Sequence, residues 1–360
     1  MKIEILNFLE NAGAYADENS VFTKAELVRL AKSLGINPKS LSPLFKQQHR
    51  VERGKYSFES IVKAFPMNRN DQKQVESTAS NIKFIPEVDE KFVAWGEFST
   101  INKIVKSEMF YPTYVFGLSG NGKTYMVEQA AAKASREYIR VQITPETDED
   151  DLIGGFRLVD GDTVFAKGPV LKAMENGAIL LLDEIDRATN KIMCLQGILE
   201  GKPYLVKKTG EVVKPAEGFN IIATANTQGR GSSDGRFTAA TIIDEAFLER
   251  FTVAIEQDYP TKATESKILL NHMNQYDMEL SEEMCQSFAN KLVEWSSIIR
   301  KTYMEEGIDD LISTRRLCHI VQTYAIFKDE IKSIKMCITR FDAETREAFL
   351  DLYDKLQEAQ

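Results

Sequence analysis

Residues 117–124 read Gly-Leu-Ser-Gly-Asn-Gly-Lys-Thr. The stretch fits the pattern G-x-x-x-x-G-K-[ST] at every fixed position. Gly117, Gly120 and Gly122 allow a sharp backbone turn. That turn brings the loop's N–H groups, those of Leu118, Ser119 and Asn121 included, close to phosphate oxygens. Lys123 supplies a charge that reaches β- and γ-phosphates, and Thr124 offers a hydroxyl to Mg²⁺. The flanks agree. Residues 111–116 (YPTYVF) read as a strand entering the loop. Residues 125–136 (YMVEQAAAKASR), opening at Tyr125, read as the helix leaving it, with an N-terminus that favours an anion.

A second stretch answers the first. Residues 178–186 (AILLLDEID) are an apolar run ending in acids. Such a run fits a strand buried on both faces of a parallel sheet. Acids at its carboxyl end lie where open α/β sheets bind ligands. Paired with the loop, Asp183 is expected to hold Mg²⁺ through water, and Glu184 to orient and deprotonate an attacking water. The two stretches together imply ATP with Mg²⁺ and hydrolysis of the triphosphate.

At 360 residues the chain is long enough for more than one domain. Its 43% hydrophobic and 28% charged content is that of an ordinary soluble protein. No run approaches the ~18 apolar residues of a membrane span, and residues 1–6 (MKIEIL) lack the marks of a signal peptide. A cytoplasmic location is expected. Cys194, Cys285, Cys318 and Cys337 form no C-x-x-C pair and are expected to be buried thiols. A net charge of −9 argues against a wholly nucleic-acid-binding surface while leaving room for a local basic patch.

The chain divides into four stretches. Residues 1–66 form a small module with helices at 1–12, from Thr23 (capped by Glu26) to Gly35, and from Asn37-Pro38 through Phe45. A hairpin over 49–58 turns at Arg53-Gly54. The arrangement resembles a winged helix. Nine Lys and Arg face three Glu between residues 21 and 65, so duplex DNA and protein both remain open as partners. Residues 67–81 are a polar linker. Residues 82–259 alternate strands (138–143, 179–182, 220–225, 251–255) with helices, which implies a parallel sheet wrapped by helices. Residues 260–360 are a helical lid, with helices at 261–273, 281–304, 313–327 and 343–357.

At this point the chain resembles an AAA+ ATPase, a P-loop NTPase, most nearly the MoxR-like branch around CobS, CbbQ and NirQ. The resemblance covers roughly residues 85–330. It rests on the two stretches above (Walker A and B), on 141–154 (VQITPETDEDDLIG), on 165–169 (FAKGP), on 223–227 (ATANT), on 246–251 (AFLERF) and on 313–315 (STR). It implies that Asn226 is sensor 1, holding water against the γ-phosphate. Arg250 would be an arginine finger acting on a neighbouring subunit, its rival role being an ion pair with Glu249. Arg315 would be sensor 2, with Arg316 as its rival. Arg187 is a further trans-acting candidate.

Residues 155–165 can form a hairpin turning at Asp160-Gly161, and 203–219 another turning at 208–210; the resemblance implies that these insertions face a pore or a partner, the alternative being plain surface hairpins. Phe156, Val159 and Tyr204 are the residues expected to engage a substrate. The Gly/Ser-rich 228–241 is expected to be a functional loop. The function implied is a hexameric ring motor, chaperone-like, remodelling a protein client or a complex with a separate adaptor chain. The alternatives are a DNA-directed motor gripping duplex through residues 1–66, and a nucleotide-gated scaffold.

Overall fold

The computed structural model describes residues 21–33, 41, 45, 50–52, 55–57, 84–159, 162–231 and 240–358. The chain splits into two compact units, residues 1–83 and 84–360.

In the first unit, β1 (Val21–Thr23) leads into α1 (Lys24–Ser33). The Glu26 carboxylate accepts the Thr23 N–H at 2.8 Å and Thr23 Oγ1 accepts the Glu26 N–H at 3.3 Å, so the expected capping box forms. Leu27 and Ala31, one helical turn apart, are buried. β2 (Arg50–Glu52) and β3 (Lys55–Ser57) pair antiparallel, and β1 adds to β3. The expected helix over 1–12, most of the one over 37–45 and the linker lie outside the described residues.

The second unit is built on five parallel strands: β4 (Thr113–Phe116), β5 (Tyr138–Gln142), β8 (Ile179–Asp183), β11 (Asn220–Ala225) and β12 (Val253–Glu256). Across the sheet they run β12-β4-β11-β8-β5. The parallel α/β expectation holds. Alternation along β8 explains its apolar run. Ile179 and Leu181 join Val115 and Ile222 against α2 (Phe98–Lys106) and α3 (Lys123–Lys133). Leu180 and Leu182 face the other way, into a cluster with Val170, Leu171 and Met174 of α5 (Pro169–Asn176).

The boundaries move slightly. α3 starts at Lys123, two residues before the expected Tyr125, because Gly122 adopts φ 87° and serves as its N-cap. The last strand begins at Val253, since Phe251 packs instead into the cluster beside Phe247. Between β5 and α5 lie the short α4 (Glu149–Leu152) and the expected hairpin, β6 (Gly154–Val159) with β7 (Asp162–Lys167). Its turn and the side chain of Val159 are outside the described set. The second hairpin is β9 (Tyr204–Leu205) with β10 (Val212–Val213), preceded by α6 (Gln196–Leu199). α7 (Glu245–Leu248) precedes β12.

The lid contains α8 (Lys262–Met273), α9 (Glu282–Met304), α10 (Thr314–Phe327), α11 (Glu330–Ile338) and α12 (Ala343–Glu358). Its core closes around Trp295, Phe349 and Tyr353, and the Trp295 indole N–H donates to the Phe349 carbonyl at 2.8 Å. α11 was not expected. The four cysteines are free, but Cys337 alone is buried and the other three are partly exposed, which corrects the expectation of buried thiols. No helix among the described residues is long and apolar enough to cross a membrane.

Candidate functional site

The carboxyl ends of β4, β11 and β8 adjoin, and the loop after β4 closes over them. The result is a cleft of about 430 Å³. Ser119, Gly120, Asn121, Gly122, Lys123, Thr124 and Tyr125 line it from one side, and Asp183, Glu184 and Asn226 from the strand ends. Arg315 enters from the lid. Gly117 and Leu118 take part through their carbonyls, which accept from Lys123 Nζ at 2.7 and 2.9 Å. The loop needs glycine at two positions in particular. Gly117 has φ 145°, and a Cβ there would collide with the Gln257 carbonyl. Gly120 has φ 74° and lies against Ser313, so a side chain would push the lid away.

Lys123 is buried. Its amine also donates to Asn121 Oδ1 and Asn226 Oδ1, both at 3.3 Å. Burial pulls its pKa down to about 8, and the negative charges of Asp186 and Asp183 oppose that fall. Thr124 donates its hydroxyl to Asp183 Oδ1 at 2.8 Å, while Arg140 Nε donates to Asp183 Oδ2 at 3.0 Å. One hydroxyl beside one carboxylate, open to a polar cleft, is a donor set that suits Mg²⁺, an ion that keeps several waters and shares itself with phosphate oxygens. Among the described residues no group of three or more His, Cys, Asp or Glu forms an all-protein metal cage.

Glu184 sits at φ 58°, a left-handed conformation that costs a non-glycine residue of order 1 kcal/mol or more. Its carboxylate accepts from Gln142 Nε2 at 2.6 Å and pairs with Arg187 Nε at 3.2 Å. Arg187 is therefore tied to Glu184 within the same chain. Arg315 lies at the first turn of α10, which Ser313 caps, and its N–H donates to the Gly120 carbonyl at 3.2 Å. Its rival Arg316 does not line the cleft.

Arg250 is apart from all of these. It pairs with Glu200 at 2.9 Å, rather than with Glu249, and donates to the Ala246 carbonyl. Tyr204 also departs from expectation. Its hydroxyl donates to Glu149 at 2.8 Å and its ring packs on the core, so the exposed apolar residues of that hairpin are Leu205 and Val212. Phe156 and Val164 are about half exposed, and Leu158 more so.

Sequence reasoning passed over Gln142, Arg140 and Tyr259. Gln142 and Arg140 hold the two acids at the carboxyl end of β8, Glu184 and Asp183. Tyr259 donates its hydroxyl to the Ser119 carbonyl at 2.7 Å, with the Arg300 guanidinium 4.0 Å over its ring. The signal available was the alternation of β5, which puts Arg140 and Gln142 on one face.

Residues 112–251 match the family described as AAA domain (dynein-related subfamily). Among curated relatives, Protein NorQ of Paracoccus denitrificans is 29% identical over 205 residues, spanning 56% of this chain and 70% of NorQ. Aerobic cobaltochelatase subunit CobS of Sinorhizobium sp is 25% identical over 221 residues, spanning 60% of this chain and 65% of CobS. Midasin of Giardia intestinalis is 26% identical over 199 residues, which is 54% of this chain but 4% of midasin.

Proposed function

Residues 112–251 are an AAA domain of the dynein-related subfamily, in an ATPase chain related to NorQ and CobS, and on that premise we propose a ring motor that hydrolyses ATP to remodel a protein or protein complex. The observation that carries the proposal is the convergence of Lys123, Thr124, Asp183, Glu184, Asn226 and Arg315 on one cleft, with Arg250 outside it.

The chemistry follows from the residues. The loop N–H groups and Lys123 bind the β- and γ-phosphates. Thr124 and Asp183 would hold Mg²⁺, which supplies positive charge against the triphosphate. Water attacks the γ-phosphorus, Glu184 takes its proton, and the bond to ADP breaks to release inorganic phosphate. For this the Glu184 carboxylate must leave Gln142 and turn to the water. Asn226 orients that water as a neutral amide. Arg315 reads the phosphates from the lid. Arg250, held at the surface by Glu200, suits a finger reaching a neighbouring protomer's γ-phosphate, so turnover would depend on assembly.

A hexamer, a cytoplasmic setting and a separate adaptor chain belong to this same reading. The exposed apolar residues of the two hairpins support contact with a client, with Leu158, Leu205 and Val212 taking the place of Tyr204. The test is phosphate release with Glu184→Gln and Arg250→Ala. Glu184→Gln should bind ATP, stop turning over and trap the assembled ring. Arg250→Ala should bind nucleotide normally yet lose turnover. Equal loss of binding and turnover in Arg250→Ala removes it from the trans role, and an assembled wild-type protein that releases no phosphate leaves the scaffold reading in place. The basic excess in residues 21–65 supports a second reading, a DNA-directed motor. Salt-dependent binding of duplex DNA that is lost on deleting residues 1–66 would favour it.

A further inference from the structure

Asp186 lies three residues beyond Asp183 and does not line the cleft; apart from its charge, which acts on Lys123, it has no part in the chemistry above. It is 1% exposed. Burying a carboxylate is costly unless its oxygens are well bonded. Here one oxygen collects everything. Oδ2 accepts from the backbone N–H of Asn226 at 2.8 Å, from that of Thr227 at 3.0 Å and from the Thr227 hydroxyl at 3.2 Å. Oδ1 has no hydrogen-bond partner among the described residues. The main-chain carbonyl of Asp186 accepts the Thr241 N–H at 2.7 Å and the Thr241 hydroxyl at 3.1 Å.

The carboxylate bonds converge on the end of β11. Bonds from N–H groups to a carboxylate are about twice as strong as neutral ones. Two successive N–H groups held by one oxygen fix the direction in which the chain leaves the strand. That direction sets where the Asn226 side chain goes, and it goes to the cleft, with Oδ1 3.3 Å from Lys123 Nζ. The Thr241 bonds, made to the Asp186 main-chain carbonyl, tie the turn after β8 to the segment that runs into α7, whatever side chain stands at position 186.

We infer that Asp186 is a positioning residue for hydrolysis: its carboxylate clamps the main chain at Asn226–Thr227 so that the Asn226 amide is presented to the cleft. The inference rests on the reading of Asn226 as the water-orienting group.

The test uses the full chain with Asp186→Ala, Asp186→Asn, Asn226→Ala and the Asp186→Ala/Asn226→Ala double variant. Nucleotide affinity, thermal midpoint and kcat are measured for each. Asp186→Ala should keep its affinity for a fluorescent ATP analogue within about threefold while kcat falls about 100-fold, the size of losing one transition-state contact. Asn226→Ala should fall comparably, and the double variant should be no slower than the worse single one, because both changes remove one unit. Asp186→Asn keeps an acceptor oxygen without the charge, so its kcat should recover only in part, to about three- to tenfold below wild type.

A purely structural role would lower the thermal midpoint and binding together and leave the two defects additive, which overturns the inference. Should Asp186→Ala melt below the assay temperature, Asp186→Asn decides: a lower kcat at unchanged affinity supports the clamp, and wild-type kcat overturns it. Slow turnover in Asn226→Ala with normal turnover in both Asp186 variants sinks the clamp alone. Normal turnover in Asn226→Ala sinks the water-orienting reading, and the clamp with it.

Discussion

Strand β8 and the hairpin β6–β7 are both rich in apolar residues, and they lie fewer than 30 positions apart. Their fates are opposite. Every residue of β8 is buried, between parallel neighbours on both edges and helices on both faces. The hairpin has only its own two strands, and Leu158 is 77% exposed. Apolar sequence therefore does two jobs here. In β8 it fixes a rigid strand whose end holds Asp183 and Glu184 in the cleft. In β6–β7 it is left facing outward, where apolar side chains can meet a partner.

Changing each region in turn breaks or sharpens this contrast. Leu181→Ala removes a side chain from the centre of the sheet and should cost about 2–5 kcal/mol of unfolding free energy. Urea unfolding followed by circular dichroism measures it, and nucleotide affinity should weaken as the end of β8 loosens. Leu158→Ala should change the same unfolding curve by no more than about 0.5 kcal/mol. It should leave basal ATP turnover intact while weakening any stimulation by a client. A large loss of stability in Leu158→Ala would mean that the hairpin is core and that its exposure does not serve contact.

A comparably small effect is expected from the ties between the two hairpins. Lys208 pairs with Asp150 beside β6, and Lys167 of β7 pairs with Glu211 beside β10 at 2.6 Å. These pairs are partly exposed, so Lys208→Ala should cost about 0–1 kcal/mol. If the hairpins move as one body, it should nevertheless reduce client-stimulated turnover more than basal turnover.

The same contrast explains what the sequence could and could not reveal. The phosphate-binding loop and β8 were legible because their chemistry is local: glycines where φ is positive, a lysine and a hydroxyl next to them, acids at the end of an apolar run. The hairpins were legible from Gly turns between short alternating runs. Helix α11 was not. It follows α10 after two residues, Lys328 at φ 54° and Asp329. Its start is marked only by the cap at Asp329, which accepts the Lys332 N–H at 2.9 Å.

Tyr204 was misjudged because its acceptor, Glu149, is distant in sequence, and no local pattern says that a hairpin tyrosine will fold back. The partners of the site residues were hidden for the same reason. Gln142 meets Glu184, Arg140 meets Asp183 and Asp186 meets Asn226 only once the sheet order is fixed. Pairings of this kind belong to the tertiary structure and leave no spacing to read.

The central claim is that a triphosphate held in one protomer's cleft is hydrolysed with help from a neighbour's Arg250. Mixing two inactive variants tests it most directly. Glu184→Gln lacks the base but keeps Arg250, whereas Arg250→Ala keeps the base but lacks the finger. When the two are co-assembled, some interfaces pair an intact cleft with an intact arginine, and phosphate release should return although each variant alone is silent. A mixture as silent as its components, in rings shown by native mass spectrometry to contain both, would contradict the account.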